Sequence, residues 1–170
     1  MNVLCALAAW LARVPPLIAA LFACAWYALL WQLSSGPVPA PGSGLSGEVI
    51  ANWLHAPVYG VLALACLLAL PRVYNAWRVS WKGAVLVVGL CALAGLVDEW
   101  HQHHVPGRDA SLPDLFTDVL GALGTVWSVD GVLRCARGAP WRMLLSLLAS
   151  VLGAALATLL PRLWPDLWWL

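Results

Sequence analysis

The sequence predicts an all-α membrane protein: a single membrane domain over residues 1–170, folded as a polytopic helical bundle of about five transmembrane helices. Hydrophobic residues make up 62% of the chain and charged residues 10%, whereas soluble domains are about half apolar and a quarter charged. Five apolar segments each approach the roughly 20 residues that a helix needs to cross a bilayer. Helices are favoured over strands because each helix satisfies its own backbone hydrogen bonds within lipid.

The five apolar segments lie at about 15–33, 50–70, 81–97, 115–133 and 141–160. The fourth is the least apolar because Asp118 and Asp130 fall within it. The connectors are rich in Pro, Gly or polar residues, as turns are, and lie at 34–47, 71–80 and 135–140. The tail 161–170 contains three tryptophans and is predicted to lie at the membrane–water interface. Whether residues 1–13 form an interfacial helix is left open.

The distribution of positive charge favours one orientation, because cytoplasmic loops of membrane proteins carry an excess of Lys and Arg. With the N-terminus inside, seven of the nine basic residues lie on the cytoplasmic side: Arg13, Arg72, Arg78, Lys82, Arg134, Arg137 and Arg142. Arg108 and Arg162 then lie outside. The sequence therefore predicts an N-in, C-out membrane protein in which the stretch 98–114 faces out.

Cysteine usage and net charge exclude some classes of site and partner. The five cysteines form no CxxC pair, so neither a disulfide framework nor a thiolate metal site is predicted. We interpret them as small apolar packing residues. The formal net charge of +1 gives no reason to expect nucleic acid as a partner. Membrane lipids are the expected partners, and the oligomeric state is not predicted.

One polar stretch, DEWHQHHVPGRDASLPD at 98–114, interrupts the apolar sequence. From Trp81 to Trp100 a helix would rise about 30 Å, so the acidic pair Asp98–Glu99 is expected in the outermost turn of the third segment. Charged groups at that depth usually face the bundle interior and have partners. Asp98, His101 and Gln102 share one helix face by their spacing.

A tight turn is predicted at Pro106 and Gly107, because Pro pre-sets the first central position and Gly supplies a positive φ at the second. This turn can bring Arg108 back over Asp98 and Glu99, where a guanidinium can bind a carboxylate or a phosphate.

The fourth segment begins with acidic residues on one face. Ser111 is a predicted N-cap, and Asp114 is either its capping partner or part of a site. Asp118 lies one turn deeper on the same face and should point into the bundle. The face continues to Gly121, and Gly121 and Gly124 would let another helix approach closely.

His55, near the outer end of the second segment, could join these acids from across the bundle; alternatively it is a hydrogen-bonded packing residue. The stretch offers many donors for zinc, but HQHH matches no strong metal-binding pattern. Neither a metal nor a cofactor is therefore expected.

These residues resemble the VanZ-like membrane protein family over residues 50–128. The matching positions are Asp98, Glu99, Gln102, Pro106, Gly107, Arg108, Asp114, Gly121 and Gly124, together with His55, Tyr59 and Gly60 in NWLHAPVYGVLALA. Asp118 departs from the pattern, since the family usually has Asn there. The additional helix at 141–160 and the tail lie outside the match. The resemblance implies an integral protein of the bacterial inner membrane, in a family associated with reduced glycopeptide susceptibility, and it implies no established reaction.

Two functions are left open. In the first, the outward-facing cluster recognises a lipid headgroup or a cell-envelope precursor through Arg108, Gln102, Asp114, Asp118 and His101, and so affects envelope properties or glycopeptide susceptibility. In the second, the chain is a membrane enzyme that acts on a lipid-linked substrate, with Glu99 or Asp98 as general base and His55 transferring protons. A proton-coupled carrier is disfavoured because the polar residues lie at one end. An ion-paired hairpin with a purely structural role is compatible with the first function.

Overall fold

The computed structural model describes residues 3–36, 44–71, 79–108 and 110–164. Six α-helices form this part of the chain: α1 (Val3–Leu11), α2 (Pro16–Ser34), α3 (Leu45–Ala69), α4 (Trp81–Gln102), α5 (Leu112–Leu133) and α6 (Ala139–Leu163). The predicted all-α class is confirmed. Arg72 and Arg78 of the orientation argument, and residues 165–170 of the predicted interfacial tail, lie outside the described residues.

Four of these helices have the length and apolar composition to cross a membrane, namely α2, α3, α4 and α6. About five were expected. The remaining long helix, α5, has 22 residues and carries Asp114, Asp118 and Asp130. In carrying these three carboxylates, α5 differs in composition from the four apolar helices. Together the four identify a membrane protein.

Two helix boundaries differ from those predicted. Helix α3 begins at Leu45, inside the connector predicted at 34–47. Helix α6 continues through Pro161 to Leu163, so the first residues of the predicted tail are helical. At the N-terminus, α1 ends at Leu11, four residues before Pro15, and Pro16 is the first residue of α2. Proline is favoured at this position because its missing N–H would have no helical partner.

Helix α5 lies among the other helices. It packs against α3, α6 and α4 and also contacts α1, while α2 packs on α3 and α4. Its buried face includes Thr117, Asp118, Ala122 and Val126. The helix with the most carboxylates is thus the one that its neighbours surround. This arrangement keeps its carboxylates away from the surface that would contact lipid.

Large apolar side chains cover the outward faces of the bundle. Leu17 of α2 is 71% exposed, Val85 of α4 is 64% exposed and Leu152 of α6 is 62% exposed. Water would solvate such a surface poorly, and lipid tails solvate it well. The buried apolar core has fewer residues than this exposed apolar surface. It is centred on Tyr59, Leu67, Val87, Cys91 and Ala122.

Two glycines of α5 allow close approach, each towards a different helix. A Cβ atom at Gly121 would overlap the backbone carbonyl of Ala56 in α3, whereas one at Gly124 would lie 3.0 Å from the Ser146 Cβ in α6. Gly121 therefore sets the α3–α5 distance, and Gly124 belongs to the α5–α6 contact. The predicted stripe of small residues serves two interfaces.

Asp130 lies at the far end of α5 from Asp114 and Asp118. Its carboxylate accepts hydrogen bonds from Arg134 Nε at 2.7 and 2.9 Å and from Arg142 Nη1 at 3.0 Å. Because Arg142 belongs to α6, this cluster ties the end of α5 to the start of α6. We call this the basic end of the bundle.

The cysteine interpretation is wrong for two residues. Cys5 of α1 and Cys135, just after α5, form a disulfide across a sequence separation of 130. Their spacing gave no sign of it because α1 folds back onto the basic end of the bundle. Of the other three, Cys91 is buried, Cys66 is partly buried and Cys24 is exposed.

We expect Gly121→Ala to lower the free energy of unfolding by about 1–3 kcal/mol, because the new methyl group overpacks the α3–α5 contact. Titrating the purified protein with a denaturing detergent measures the change. Gly89→Ala is the matched control, since a Cβ at Gly89 meets nothing within 4 Å. Equal stability of the two variants would contradict the close approach.

Candidate functional site

Polar side chains are buried together at the end of the bundle where α2 and α4 finish and α3 and α5 begin. We call this the polar end. Ser34, Asp98, Gln102 and Asp118 are each at most 6% exposed, and Glu99 is fully buried. Burying several carboxylates is costly unless each finds hydrogen-bond donors or a compensating charge. The partner of each acid therefore indicates its role.

Both oxygens of Asp98 accept hydrogen bonds from neighbouring side chains. Ser34 Oγ donates to Oδ1 at 2.6 Å, and Gln102 Nε2 donates to Oδ2 at 2.8 Å. Ser34 is the last residue of α2, and Gln102 lies one turn after Asp98 on α4. Asp98 therefore joins α2 to α4. Gln102, predicted as a ligand-binding residue, contacts Asp98 here.

Glu99 has one partnered and one unpartnered oxygen. Its Oε2 accepts the backbone N–H of Ser111 at 2.7 Å, and its Oε1 has no hydrogen-bond partner among the described residues. Ser111 is the N-cap of α5, as the sequence predicts, and its Oγ accepts the Asp114 N–H at 3.3 Å. In a capping box the side chain three residues after the cap accepts the cap's N–H. In this protein Glu99, from another helix, takes that position.

His55 and Asp118 meet across the α3–α5 interface. Their Nδ1 and Oδ1 atoms are 3.0 Å apart. Asp118 is 1% exposed and the His55 side chain 27% exposed, so the imidazole covers the carboxylate on its more open side. On the α4 side Gly95 makes room, since a Cβ there would lie 2.6 Å from Asp118 Oδ2.

His55, Glu99 and Asp118 come from three different helices and converge. One ligand atom from each lies within 4.8 Å of the others. The sequence analysis left open that His55 joins the acids from across the bundle, and in the structure it contacts Asp118. Which acids it would meet could not be predicted, because separations of 44 and 19 residues show no shared helix face. Tyr59 was noted only as a family match. It is buried beside this group, and its hydroxyl has no hydrogen-bond partner among the described residues.

Asp114 lines a separate cavity of about 380 Å³ between α3, α5 and α6. Its Oδ1 is buried and has no hydrogen-bond partner among the described residues. Asn52 also lines the cavity and donates to Thr158 Oγ1 at 2.9 Å. Arg162 and Glu48 form an ion pair at 2.7 Å on the wall, each about half exposed.

Arg108 does not lie over the acidic pair. The turn around Pro106 and Gly107 reverses the chain, with Gly107 at φ +82° and Arg108 N donating to Val105 O. However, the guanidinium donates to the backbone carbonyls of Leu33 and Gly36, each at 3.0 Å. The last carbonyls of a helix lack partners and attract cations, so the end of α2 competes for Arg108.

No described Lys or Arg forms a salt bridge with Asp98, Glu99, Asp114 or Asp118. The cluster is therefore an acid–imidazole site and differs from the anion-binding site expected around Arg108. A group that donates hydrogen bonds or carries positive charge would complement it.

His101 lies on the rim of the polar end. Its ring stacks on Trp31 with centroids 3.9 Å apart, and its Nε2 lies 2.9 Å from Ser35 Oγ. As their i, i+3 spacing predicts, Asp98 and His101 lie on the same turn of α4. However, the His101 side chain points towards α2. It contributes to the α2–α4 contact, and the convergent group lies elsewhere.

Comparison with family models, with curated proteins and with solved structures finds no match to this chain. The resemblance of residues 50–128 to the VanZ-like family therefore stays an expectation.

We expect Ser34→Ala to destabilise the protein by about 1.5–3 kcal/mol, because a hydrogen bond to a buried carboxylate is lost. Detergent-induced unfolding followed by tryptophan fluorescence measures the loss. Ser35→Ala is the control, since that neighbouring hydroxyl is exposed and bonds the Trp31 carbonyl. A smaller effect at Ser34 than at Ser35 would show that Asp98 does not depend on its partner.

Proposed function

We propose that the chain crosses a bacterial inner membrane five times, through α2 to α6, with the N-terminus in the cytoplasm and the polar end outside. Helix α5, with 22 residues, is about 33 Å long and would span the hydrocarbon layer while its neighbours shield its acids. Helix α1 has 9 residues and is too short to span. The basic end carries Arg134 and Arg142, which the bias of positive charge assigns to the cytoplasm.

In this orientation we expect a reporter that is active only outside the cytoplasm to be active when fused after Leu170, and a cytoplasmic reporter to be active within 71–80. The Cys5–Cys135 pair would then face a compartment that keeps thiols reduced. The Cys5–Cys135 disulfide of the structure would then be reduced in the cell, so alkylation of rapidly quenched cells should label both cysteines.

The inverse reporter pattern, with Cys5 and Cys135 protected from alkylation until a reductant is added, would reverse the proposed orientation. Cys24 lies within α2 and forms no disulfide among the described residues. It serves as the internal standard for alkylation of denatured samples.

For the polar end, the function proposed is recognition of a membrane-lipid headgroup or lipid-linked envelope precursor that presents an amine or hydroxyl. The observation that carries this proposal is the unpartnered Oδ1 of Asp114 in the wall of the cavity between α3, α5 and α6. We call it the headgroup cavity. A buried carboxylate oxygen without a donor is unfavourable, and an ammonium or hydroxyl group would supply the missing hydrogen bond. Arg162, on the same cavity, suits the phosphate of the same molecule.

The VanZ-like resemblance, where it holds, supports a role in the cell envelope. A protein that sequesters or presents such a headgroup at the outer leaflet would alter envelope composition or glycopeptide susceptibility. This part of the proposal rests on the sequence resemblance alone. The headgroup proposal itself depends on Asp114 and its cavity.

We expect the purified protein to retain phosphatidylethanolamine over phosphatidylcholine, because the choline nitrogen has no hydrogen to donate. Native mass spectrometry of the protein with equimolar amounts of the two lipids, phosphatidylglycerol and a lipid-linked disaccharide precursor measures the preference. Asp114→Asn should weaken binding of the preferred species about tenfold or more, as the loss of a charge-assisted hydrogen bond implies.

Asp130→Asn, which removes a carboxylate at the basic end, is the matched control and should leave the lipid preference unchanged. Preference for the precursor would identify an envelope intermediate as the ligand, and preference for phosphatidylethanolamine a bulk lipid. Equal retention of all four species, or of one species by wild type and Asp114→Asn alike, would refute headgroup recognition.

The second function, acid–base catalysis on a lipid-linked substrate, is favoured by the His55–Asp118 contact. An imidazole held by a carboxylate is the usual arrangement of a proton-transferring base, and Glu99 lies beside it. Asp98 is the weaker choice for a general base, because both of its oxygens accept hydrogen bonds. Conversion of the precursor to a species of different mass in the same mixtures, lost in His55→Gln, would favour the enzyme.

A further inference from the structure

The grouping of His55, Glu99 and Asp118 has the dimensions of a metal site. The three ligand atoms lie within 4.8 Å of one another, and the closest pair, His55 Nδ1 and Asp118 Oδ1, is 3.0 Å apart. Zinc binds nitrogen and carboxylate oxygen at about 2.0–2.2 Å, so two ligands of a tetrahedral ion stand about 3.4 Å apart. Small side-chain movements would bring all three atoms to that spacing.

The unpartnered oxygen of Glu99 is an independent sign of a ligand. Glu99 is fully buried, and its Oε1 has no hydrogen-bond partner among the described residues. Its other oxygen is fixed by the Ser111 N–H. Second contacts of this kind orient metal-binding carboxylates. The residue is therefore held in position with one coordinating atom unused.

Charge balance points to a divalent cation. Glu99 and Asp118 together carry two negative charges when ionised, and no described Lys or Arg forms a salt bridge with either. Asp118 is partnered by the His55 imidazole, whereas the only hydrogen-bond partner of the Glu99 carboxylate among the described residues is the Ser111 N–H, and buried charges that are not compensated are strongly disfavoured. A divalent ion bound by two carboxylates and a neutral imidazole makes the group electrically neutral.

The ligand types narrow the identity of the ion. Calcium and magnesium prefer sites built of oxygen alone, whereas imidazole favours zinc and its neighbours in the first transition row. Three protein ligands leave one tetrahedral position open. The His55 side chain is 27% exposed, so one of the three ligands reaches the surface of the bundle.

We propose that His55, Glu99 and Asp118 bind one divalent transition-metal ion, with Zn²⁺ as the best match. The expectation of no metal followed from the HQHH stretch, whose histidines do not take part. The new ligand set draws one residue from each of α3, α4 and α5. This site is distinct from the headgroup cavity, and the metal proposal does not depend on lipid recognition.

The test is zinc binding to the full chain in detergent micelles. Protein stripped with a chelator is dialysed against ZnCl₂ and then analysed by inductively coupled plasma mass spectrometry and titration calorimetry. We expect one zinc ion per chain for the wild type. Glu99→Gln and Asp118→Asn should each weaken binding at least tenfold, and Co²⁺ loading should give visible absorption bands of a four- or five-coordinate ion with nitrogen and oxygen ligands.

Glu48→Gln is the matched control, since that glutamate lies at the same end of the bundle but is about half exposed. It should retain one zinc ion. His55→Gln, at the most exposed of the three positions, should also lose binding, and it keeps the test decisive if a buried substitution prevents folding. A wild type without bound zinc, or Glu99→Gln and His55→Gln variants that bind zinc like the wild type, would overturn the proposal.

Discussion

The burial of three carboxylates, Asp98, Glu99 and Asp118, in one end of a bundle with an apolar outer surface is the constraint on which the rest of this structure depends. Charges that lipid cannot solvate must be solvated by the protein itself. Helix α5 supplies Asp114 and Asp118 and lies among α1, α3, α4 and α6. The glycines at the crossings, Gly95 and Gly121, let the neighbours approach closely enough to enclose these side chains. The helix arrangement follows from hiding the polar face of α5.

The acids of the polar end divide into a satisfied and an unsatisfied group. Asp98 has donors on both oxygens and connects two helices, as a structural residue would. Glu99 and Asp114 each keep a buried oxygen without a partner among the described residues, and so does the Tyr59 hydroxyl. Native proteins bury few such atoms. The unsatisfied atoms of Glu99 and Asp114 lie at the two sites proposed above, and Asp98 with its two donors is part of the frame around them.

Much of the fold could be predicted from the sequence, because the thickness of a bilayer sets the length of the apolar run that a helix needs to cross it. Helices α2, α3, α4 and α6 follow from such runs, and α5 was recognised as unusual from Asp118 and Asp130. Contacts between helices could not be predicted. The path of Arg108 depended on competition between the acidic pair and the carbonyls of α2, and the turn at Gly107 permits both. The Cys5–Cys135 bond needed the fold of α1, for which spacing offers no rule.

That His55 would meet Glu99 and Asp118 in particular, among the several acids it could join, could not be predicted for the same reason. Periodicity reports which residues share a face of one helix, but it does not report which faces meet. His101 illustrates the opposite error, since its spacing from Asp98 was right and its side chain turned to Trp31. The residues that could be named in advance were polar residues in apolar surroundings; their roles depended on neighbours from other helices.

Through the hydrogen bond from the Ser111 N–H to Glu99, a side chain of α4 helps to cap the start of α5. The first N–H groups of a helix lack partners within it, and here one of them is satisfied by a side chain on another helix. If the Glu99 side chain rotated away, this N–H would lose its hydrogen-bond partner and the first turn of α5 would be less stable. Asp114 lies in that turn, so the orientation of the Glu99 side chain and the position of Asp114 in the cavity wall are linked through a single hydrogen bond.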